Sequence, residues 1–186
     1  MVQIKPHISI VNVVATATIN QKLDLTEITK KYSDVEYDPE QFAGLILRLN
    51  NPRTTTLIFS TGNMVCTGAT SEEMSIKAVN MVIQKIRKTK NKIKNNPRVT
   101  IQNVVSSINL KGKINLIQAA KTLPRSIYEP EQFSGIVHRM LDPKTVILLF
   151  ASGKLICTGA RREEEIYHSV NQIHSLLEEK NLMDYD

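Results

Sequence analysis

The chain has 186 residues, of which 41% are hydrophobic, and a formal net charge of +6 at pH 7. This length suits one ordinary domain or two small fused ones, and the hydrophobic fraction makes wholesale disorder unexpected. No apolar run approaches the roughly 20 residues of a membrane span and no apolar leader follows Met1, so we expect a soluble, intracellular protein. Two cysteines and four scattered histidines indicate neither a disulfide framework nor a metal site. The basic excess weakly favours a polyanionic partner.

The chain contains one sequence unit written twice. The segment IVNVVATATINQKLDL from Ile10 matches IQNVVSSINLKGKINL from Ile101. YDPEQFAGLILRLNNPRTTTLIFSTGNMVCTGA from Tyr37 matches YEPEQFSGIVHRMLDPKTVILLFASGKLICTGA from Tyr128 at the same offset of 91 residues, without a gap. Because a solenoid needs about three or more repeats, we expect a pseudo-twofold pair, with one half in residues 1–94 and the other in residues 95–186.

Each copy predicts the same order of elements. A strand rich in β-branched residues opens it, over 8–16 and 99–107. A short amphipathic helix follows, which Asp24 or Thr26 could cap in the first copy. Three strands come next, over 41–49, 54–60 and 64–67 in the first copy, with turns at Asn51-Pro52 and Thr61-Gly62-Asn63.

A longer helix closes each copy, over 71–88 and 162–180, and we expect the tail 182–186 to be frayed. The order strand, helix, strands, helix predicts the α+β class with an antiparallel sheet.

Neither face of the predicted sheet is charged. Side chains alternate between the two faces along each strand. In the first strand, Asn12, Val14 and Thr16 lie on one face and Val11, Val13 and Ala15 on the other. In the later strands, Leu57 and Phe59 are opposite in direction to Thr56 and Ile58, and Val65 and Thr67 to Met64 and Cys66. The helices suffice to cover one face only, and an uncovered antiparallel face is normally polar. An apolar uncovered face therefore predicts an interface. The alternative is a sandwich of the two copies, which would bury Asn12 and Asn103 at a cost.

An apolar face with Asn and Thr, ringed by Arg and Lys, suits the minor groove of A·T-rich DNA. The floor of that groove offers the acceptors adenine N3 and thymine O2, to which amides and hydroxyls can donate. The extra amine of guanine would collide with a flat apolar surface.

All four phenylalanines are duplicated, Phe42 with Phe133 and Phe59 with Phe150. Phe42 is predicted to begin one strand and Phe59 to end the next, so the turn at Asn51-Pro52 should make them neighbours. One interpretation is two core aromatic pairs. The other is two wedges that open base steps and kink a duplex.

Two further features keep alternatives open. The segment 85–98 carries seven basic residues and no acid, which fits either a solvated helix end and linker or an auxiliary contact with DNA or an acidic regulator. Cys66 and Cys157 are expected to be small core residues of separate halves rather than a disulfide or ligands.

The duplicated N-V-V, P-E-Q-F, L-[IL]-F-x-[ST]-G and C-T-G-A motifs closely resemble the TATA-box-binding protein family, across nearly the whole chain and most in its archaeal form. The resemblance implies a saddle, with a curved antiparallel sheet whose concave face binds DNA and helices on the convex face. It implies that the protein is a general transcription initiation factor that binds promoter DNA in the minor groove and recruits transcription factor B and, indirectly, RNA polymerase.

The resemblance also implies roles for individual residues. Phe42, Phe59, Phe133 and Phe150 would insert into the DNA. The base-edge contacts would be Asn12, Asn103, Thr67, Thr158, Val14, Val105, Val65, Ile156, Leu57 and Leu148. The phosphate contacts would be Arg48, Arg139, Lys154 and Arg161, although Asn63 and Thr70 replace the last two in the first half, which should therefore hold the backbone more weakly. Glu129 and Glu131 would bind transcription factor B.

No cofactor and no catalytic residues are expected, because the histidines have no partnered acid and nucleophile. An enzyme and a divergent paralogue that binds only a protein partner are the competing interpretations. The location would be cytoplasmic and nucleoid-associated if the protein is archaeal, and nuclear if it is eukaryotic.

Overall fold

The computed structural model describes residues 4–186, which divide into two compact units. Residues 12–102 form the first half, and residues 4–11 and 103–186 form the second. The elements are β1 (His7–Thr18), α1 (Leu25–Lys31), β2 (Leu45–Asn50), β3 (Arg53–Ile58), β4 (Asn63–Ala69), α2 (Glu72–Arg87), β5 (Val99–Asn109), β6 (Lys113–Ile114), α3 (Leu116–Thr122), β7 (Ser126–Tyr128), β8 (Ile136–Arg139), β9 (Val146–Leu149), β10 (Lys154–Ala160), α4 (Glu163–Glu179) and β11 (Met183–Asp184).

The first half is an antiparallel sheet with α2 packed on one face. Its strand order is β2-β3-β4-β1, and α2 contacts β3 and β4. The buried side chains of α2 recur at helical spacing, which gives the helix a single apolar stripe: Ala78, Val79, Val82, Ile83 and Ile86. This stripe meets the buried sheet residues Leu45, Leu47, Ile58, Met64 and Cys66. One face of the sheet is therefore the floor of the core.

The second half repeats this arrangement. Its strand order is β5-β10-β9-β8-β7, with every recorded pairing antiparallel, and α4 contacts β10. The buried residues of α4 again form one stripe: Ile166, Ser169, Val170, Ile173 and Leu177. Strand β7 has no full counterpart in the first half, where a single bridge joins Glu36 to Ile46.

Most predicted elements are confirmed, and both long helices end within one residue of the predicted bounds. Asp24 caps α1, since its carboxylate accepts the N–H of Thr26 at 3.0 Å. The turns at Asn51-Pro52 and Asp142-Pro143 are present, each with a cis peptide bond. No helix in residues 4–186 has the length and apolar character needed to cross a membrane.

The prediction of a frayed tail is wrong. Strand β11 pairs with β6, and the side chain of Leu182 is 2% exposed. The carbonyl of Leu182 accepts the N–H of Asn115 at 3.0 Å, and the Tyr185 hydroxyl donates to the carboxylate of Glu178. Burial of one leucine and pairing of its backbone outweigh the entropy of a free end.

Candidate nucleic-acid interface

Two aromatic pairs occupy equivalent positions in the two halves. The ring centroids of Phe42 and Phe59 are 5.9 Å apart at an interplanar angle of 72°, and those of Phe133 and Phe150 are 5.6 Å apart at 71°. Such edge-to-face contacts are favourable for aromatic rings. Phe42 is 42% exposed and Phe133 is 38% exposed. The predicted pairing is confirmed, and the alternative of two buried core pairs is contradicted.

The prediction that Phe42 begins a strand is wrong. Strand β2 starts only at Leu45, and the N–H groups of Gln41 and Phe42 both donate to the carbonyl of Asp38, at 3.1 and 2.9 Å. Pro39 favours this turn because its ring fixes φ. The turn consumes the N–H groups that a strand would need, so the ring of Phe42 projects from a loop.

A glycine lies beneath each aromatic pair and was not among the predicted site residues. A Cβ atom on Gly44 would lie 2.7 Å from Cε1 of Phe42 and 3.0 Å from Cε1 of Phe59. On Gly135 it would lie 2.9 Å from Cε1 of Phe133 and 3.1 Å from Cε1 of Phe150. Both glycines therefore make room for the rings. The available signal was their recurrence in the repeated motifs Q-F-A-G and Q-F-S-G.

The sheet face opposite the helices is apolar and only half-buried in each half. All ten predicted base-edge residues are partly exposed: Asn12, Val14, Leu57, Val65, Thr67, Asn103, Val105, Leu148, Ile156 and Thr158. In the first half Leu57 lies directly opposite Val65, and in the second Leu148 lies opposite Ile156. Neighbouring residues such as Cys66 and Cys157 point the other way and are fully buried.

Two residues extend these apolar rows beyond the prediction. Ile46 lies opposite Leu57, and Val137 lies opposite Leu148, both half-buried. The alternation in L-I-L-R and I-V-H-R was the signal for them. Each half therefore has a row of three aliphatic side chains across adjacent strands.

A β-bulge orients each asparagine. The pairing shifts between Val13 and Ala15 in β1, and Gly68 on the partner strand has φ +97, a region that favours glycine. The N–H of Gly68 donates to Oδ1 of Asn12 at 2.7 Å, as that of Gly159 does to Oδ1 of Asn103. Because a backbone N–H can only donate, Oδ1 must be the amide atom it meets, and the Nδ2 group is on the other side of the amide.

The threonine hydroxyls contact the same amides. Oγ1 of Thr67 donates to Oδ1 of Asn12 at 3.1 Å. Oγ1 of Thr158 lies 3.3 Å from Oδ1 of Asn103 and accepts from its Nδ2 at 3.1 Å. The hydroxyls thus hold the amides in place. A hydroxyl has one proton, so a threonine that donates to a base would lose its hydrogen bond to Oδ1 of the asparagine.

The four predicted phosphate-binding cations are all exposed, but they have different neighbours. Nη1 of Arg48 lies 2.5 Å from the carboxylate of Glu36, with both side chains more than half exposed. The guanidinium groups of Arg139 and Arg161 and the ammonium group of Lys154 have no ion-pair partner in the described part of the chain. The carboxylate of Glu165 instead pairs with Arg162 at 3.4 Å.

Glu129 and Glu131 lie on the exposed turn that precedes Phe133. The N–H groups of Gln132 and Phe133 donate to the carbonyl of Glu129, both at 2.9 Å, so the turn repeats the geometry of the first half. Neither carboxylate takes part in an ion pair within residues 4–186. An acidic tip of this kind is accessible to a basic partner.

The basic segment 85–98 contacts residues that flank α1 on both sides. The side chain of Gln21 donates to the carbonyl of Lys92 at 2.7 Å and accepts the N–H of Lys94 at 3.2 Å. Nζ of Lys85 lies 4.6 Å from the centroid of the Tyr32 ring, which is cation–π geometry. These contacts position the segment but do not distinguish its two interpretations.

Both cysteines are free and fully buried core residues, as predicted. Burial raises the pKa of the Cys66 thiol and raises the pKa of Cys157 to about 11, which keeps both thiols protonated near neutral pH. No cluster of three or more His, Cys, Asp or Glu suited to a metal ion occurs among residues 4–186.

The sequence is similar to a known family of proteins along most of its length. The family model described as "Transcription factor TFIID (or TATA-binding protein, TBP)" matches residues 7–89 and again 98–180. The TATA-box-binding protein of Pyrodictium occultum is 49% identical over 173 residues, covering 93% of this chain and 87% of the relative. That of Sulfolobus acidocaldarius is 46% identical, covering 94% of this chain and 89% of the relative.

A solved structure agrees with the fold. Methanococcus jannaschii TBP superposes with a TM-score of 0.83 at 38% identity, covering 93% of this chain and 99% of that one. The two family matches start 91 residues apart, as the repeat does. The tandem α+β fold inferred from the sequence is thereby confirmed, and the chain belongs to the TATA-binding protein family of transcription factors.

Proposed function

We propose that this chain is a general transcription initiation factor that binds A·T-rich promoter DNA through the minor groove. The observation that carries the proposal is the half-buried sheet face of each half, where aliphatic rows accompany an asparagine amide and an exposed phenylalanine pair. The rows exclude water from the groove, while Nδ2 of Asn12 and Asn103 donates to adenine N3 or thymine O2. Membership of a family of transcription factors supports the same function.

In this proposal the phenylalanine pairs act as wedges. Phe42 and Phe59 enter one base step, and Phe133 and Phe150 enter another. Unstacking costs free energy, which is offset when the opened groove accommodates the sheet face of each half. Minor-groove kinking by inserted apolar side chains is established for the TATA-binding protein family in general. The role is binding rather than catalysis, and the site of action is promoter DNA in the nucleoid.

The first experiment compares two duplexes that differ in composition alone. Because the guanine amine collides with the aliphatic rows, we expect the G·C-rich duplex to bind at least about 100-fold more weakly, at about 1–3 kcal/mol per substituted base pair. Four phosphate contacts predict a slope of about −3.6 in a plot of log K against log salt. Gel-shift titrations at several salt concentrations measure both quantities. Equal affinity for the two duplexes would refute minor-groove recognition.

We also propose that the acidic tip of the second half recruits transcription factor B, and RNA polymerase through it. Changing Glu129 and Glu131 to Arg should leave DNA affinity within about twofold and abolish the ternary complex, because like charges then meet at the contact. The matched control is the same change at Asp38 and Glu40, the acidic tip of the first half. Recruitment by the Glu129→Arg, Glu131→Arg variant, measured as a supershifted band, would show that the partner binds elsewhere.

A further inference from the structure

The outer edge of the exposed face differs between the two halves. In the first half the backbone of Glu36 bridges Ile46 of β2, with N···O distances of 3.0 and 2.8 Å. Its carboxylate reaches diagonally to Nη1 of Arg48, two residues along the strand, at 2.5 Å. Such diagonal neighbours on one sheet face lie within reach of long side chains.

The equivalent position in the second half is occupied by a hydrophobic residue. Ile127 lies 91 residues after Glu36 and pairs with Val137, as Glu36 pairs with Ile46. Ile127 is 55% exposed and continues the aliphatic row of Val137 and Leu148. Arg139, the counterpart of Arg48, therefore has no carboxylate at this position.

Three other differences between the halves, among those at exposed positions, have the same sign. Arg125 stands where the first half has Asp34, Lys154 stands where it has Asn63, and Arg161 stands where it has Thr70. All three residues of the second half are exposed. The second half therefore carries more basic and fewer acidic side chains at these positions than the first.

We propose that Glu36 competes with the DNA backbone for Arg48, so that the second half is the anchoring half of the protein on DNA. The inference rests on the proposed function, in which Arg48 and Arg139 are equivalent phosphate contacts. A phosphate that approaches Arg48 meets a carboxylate already at hydrogen-bond distance from the guanidinium. Either the ion pair breaks, or two anions share one cation, and both cases weaken binding.

An exposed ion pair contributes little to folding, so Glu36 can be exchanged without loss of the fold. We expect Glu36→Ile, which copies the second half, to increase affinity for the A·T-rich duplex by about 3- to 10-fold at low salt. Glu36→Gln, which keeps the size and polarity, should have the same direction of effect. Ile127→Glu should weaken binding by a similar factor, because it places the competing carboxylate beside Arg139.

A control distinguishes competition by Glu36 from the general effect of removing one negative charge. Glu27→Gln removes another paired carboxylate, 2.7 Å from Lys30 on α1, and should leave DNA affinity within about twofold. In the wild type, Arg139→Ala should lower the salt slope by about 0.9 and Arg48→Ala by less. In the Glu36→Ile background, Arg48→Ala and Arg139→Ala should lower the salt slope by equal amounts. A double-mutant cycle measures this change.

Fluorescence anisotropy on the A·T-rich duplex, with circular dichroism to check folding, gives all these constants. If the wild type prefers A·T-rich DNA but Glu36→Ile and Glu36→Gln both bind like the wild type, the competition is refuted and the proposed function stands. If Glu27→Gln gains as much as Glu36→Gln, the effect is one of net charge and the inference is wrong. A wild type with no A·T preference would refute the proposed function itself.

Discussion

Replacing Phe133 and Phe150 by Ala is expected to remove most of the DNA bend produced by the second half and to lower affinity about 10- to 100-fold. Both effects have one cause, because the rings that separate the base pairs also create the groove shape that accommodates the sheet face. Truncation of a large aromatic anchor costs about 2 kcal/mol or more at an interface, which corresponds to a loss of about 30-fold, in the middle of this range. Energy transfer between dyes at the two ends of a duplex measures the bend.

The phenylalanine variant needs a control for stability and for general loss of aromatic surface. Tyr167 is 46% exposed on α4, so Tyr167→Ala removes a comparable ring away from the sheet face and should change neither bend nor affinity. Thermal unfolding should show a modest loss of stability, because Phe133 is already 38% exposed in the free protein. A bend of unchanged size in the folded double variant would rule out insertion of these rings.

Changing Asn103 to Asp is expected to weaken DNA binding by about 100-fold while leaving the fold intact. The new carboxylate can still accept the N–H of Gly159, at the 2.7 Å contact that Oδ1 makes now. Its second oxygen, however, replaces the Nδ2 donor and opposes the acceptors adenine N3 and thymine O2. An unpaired charge at a desolvated contact costs about 3 kcal/mol, which corresponds to the expected loss.

Asn171→Asp makes the same chemical change on the exposed surface of α4 in the same half and should shift affinity by no more than a few fold. Asn12→Asp tests the equivalent position of the first half and should behave like Asn103→Asp. Gel-shift titration of the three variants gives the comparison. Wild-type affinity for the Asn103→Asp variant would mean that this amide does not face the base edges.

The predictions that succeeded from sequence rest on local periodicity. Alternation along a strand assigns side chains to faces without knowledge of the partner strand, so Leu57 was correctly separated from Ile58. Helical spacing did the same for α2 and α4. Because the unit is duplicated, each prediction for one half could be checked against the other. The pairing of Phe42 with Phe59 and of Phe133 with Phe150 could therefore be predicted.

The inferences that failed or were missed depend on particular hydrogen bonds and packing contacts rather than on periodicity. The hydrogen bonds of the Asp38 carbonyl decided that Phe42 lies in a turn, and the pairing of β11 with β6 ordered the tail. The repeat marks Gly44 and Gly135, but their role beneath the rings is visible only from the positions of the rings.

The sequence by itself therefore determined the repeat, the α+β class and the uncovered apolar face, because these follow from periodicities of 2 and 3.6 residues. Only the tertiary structure decided the orientation of Asn12 and Asn103 and the ion pair of Glu36 with Arg48. A bulge and a cross-strand contact bring these groups together over long sequence separations. Their geometry depends on register, which local patterns of hydrophobicity do not specify.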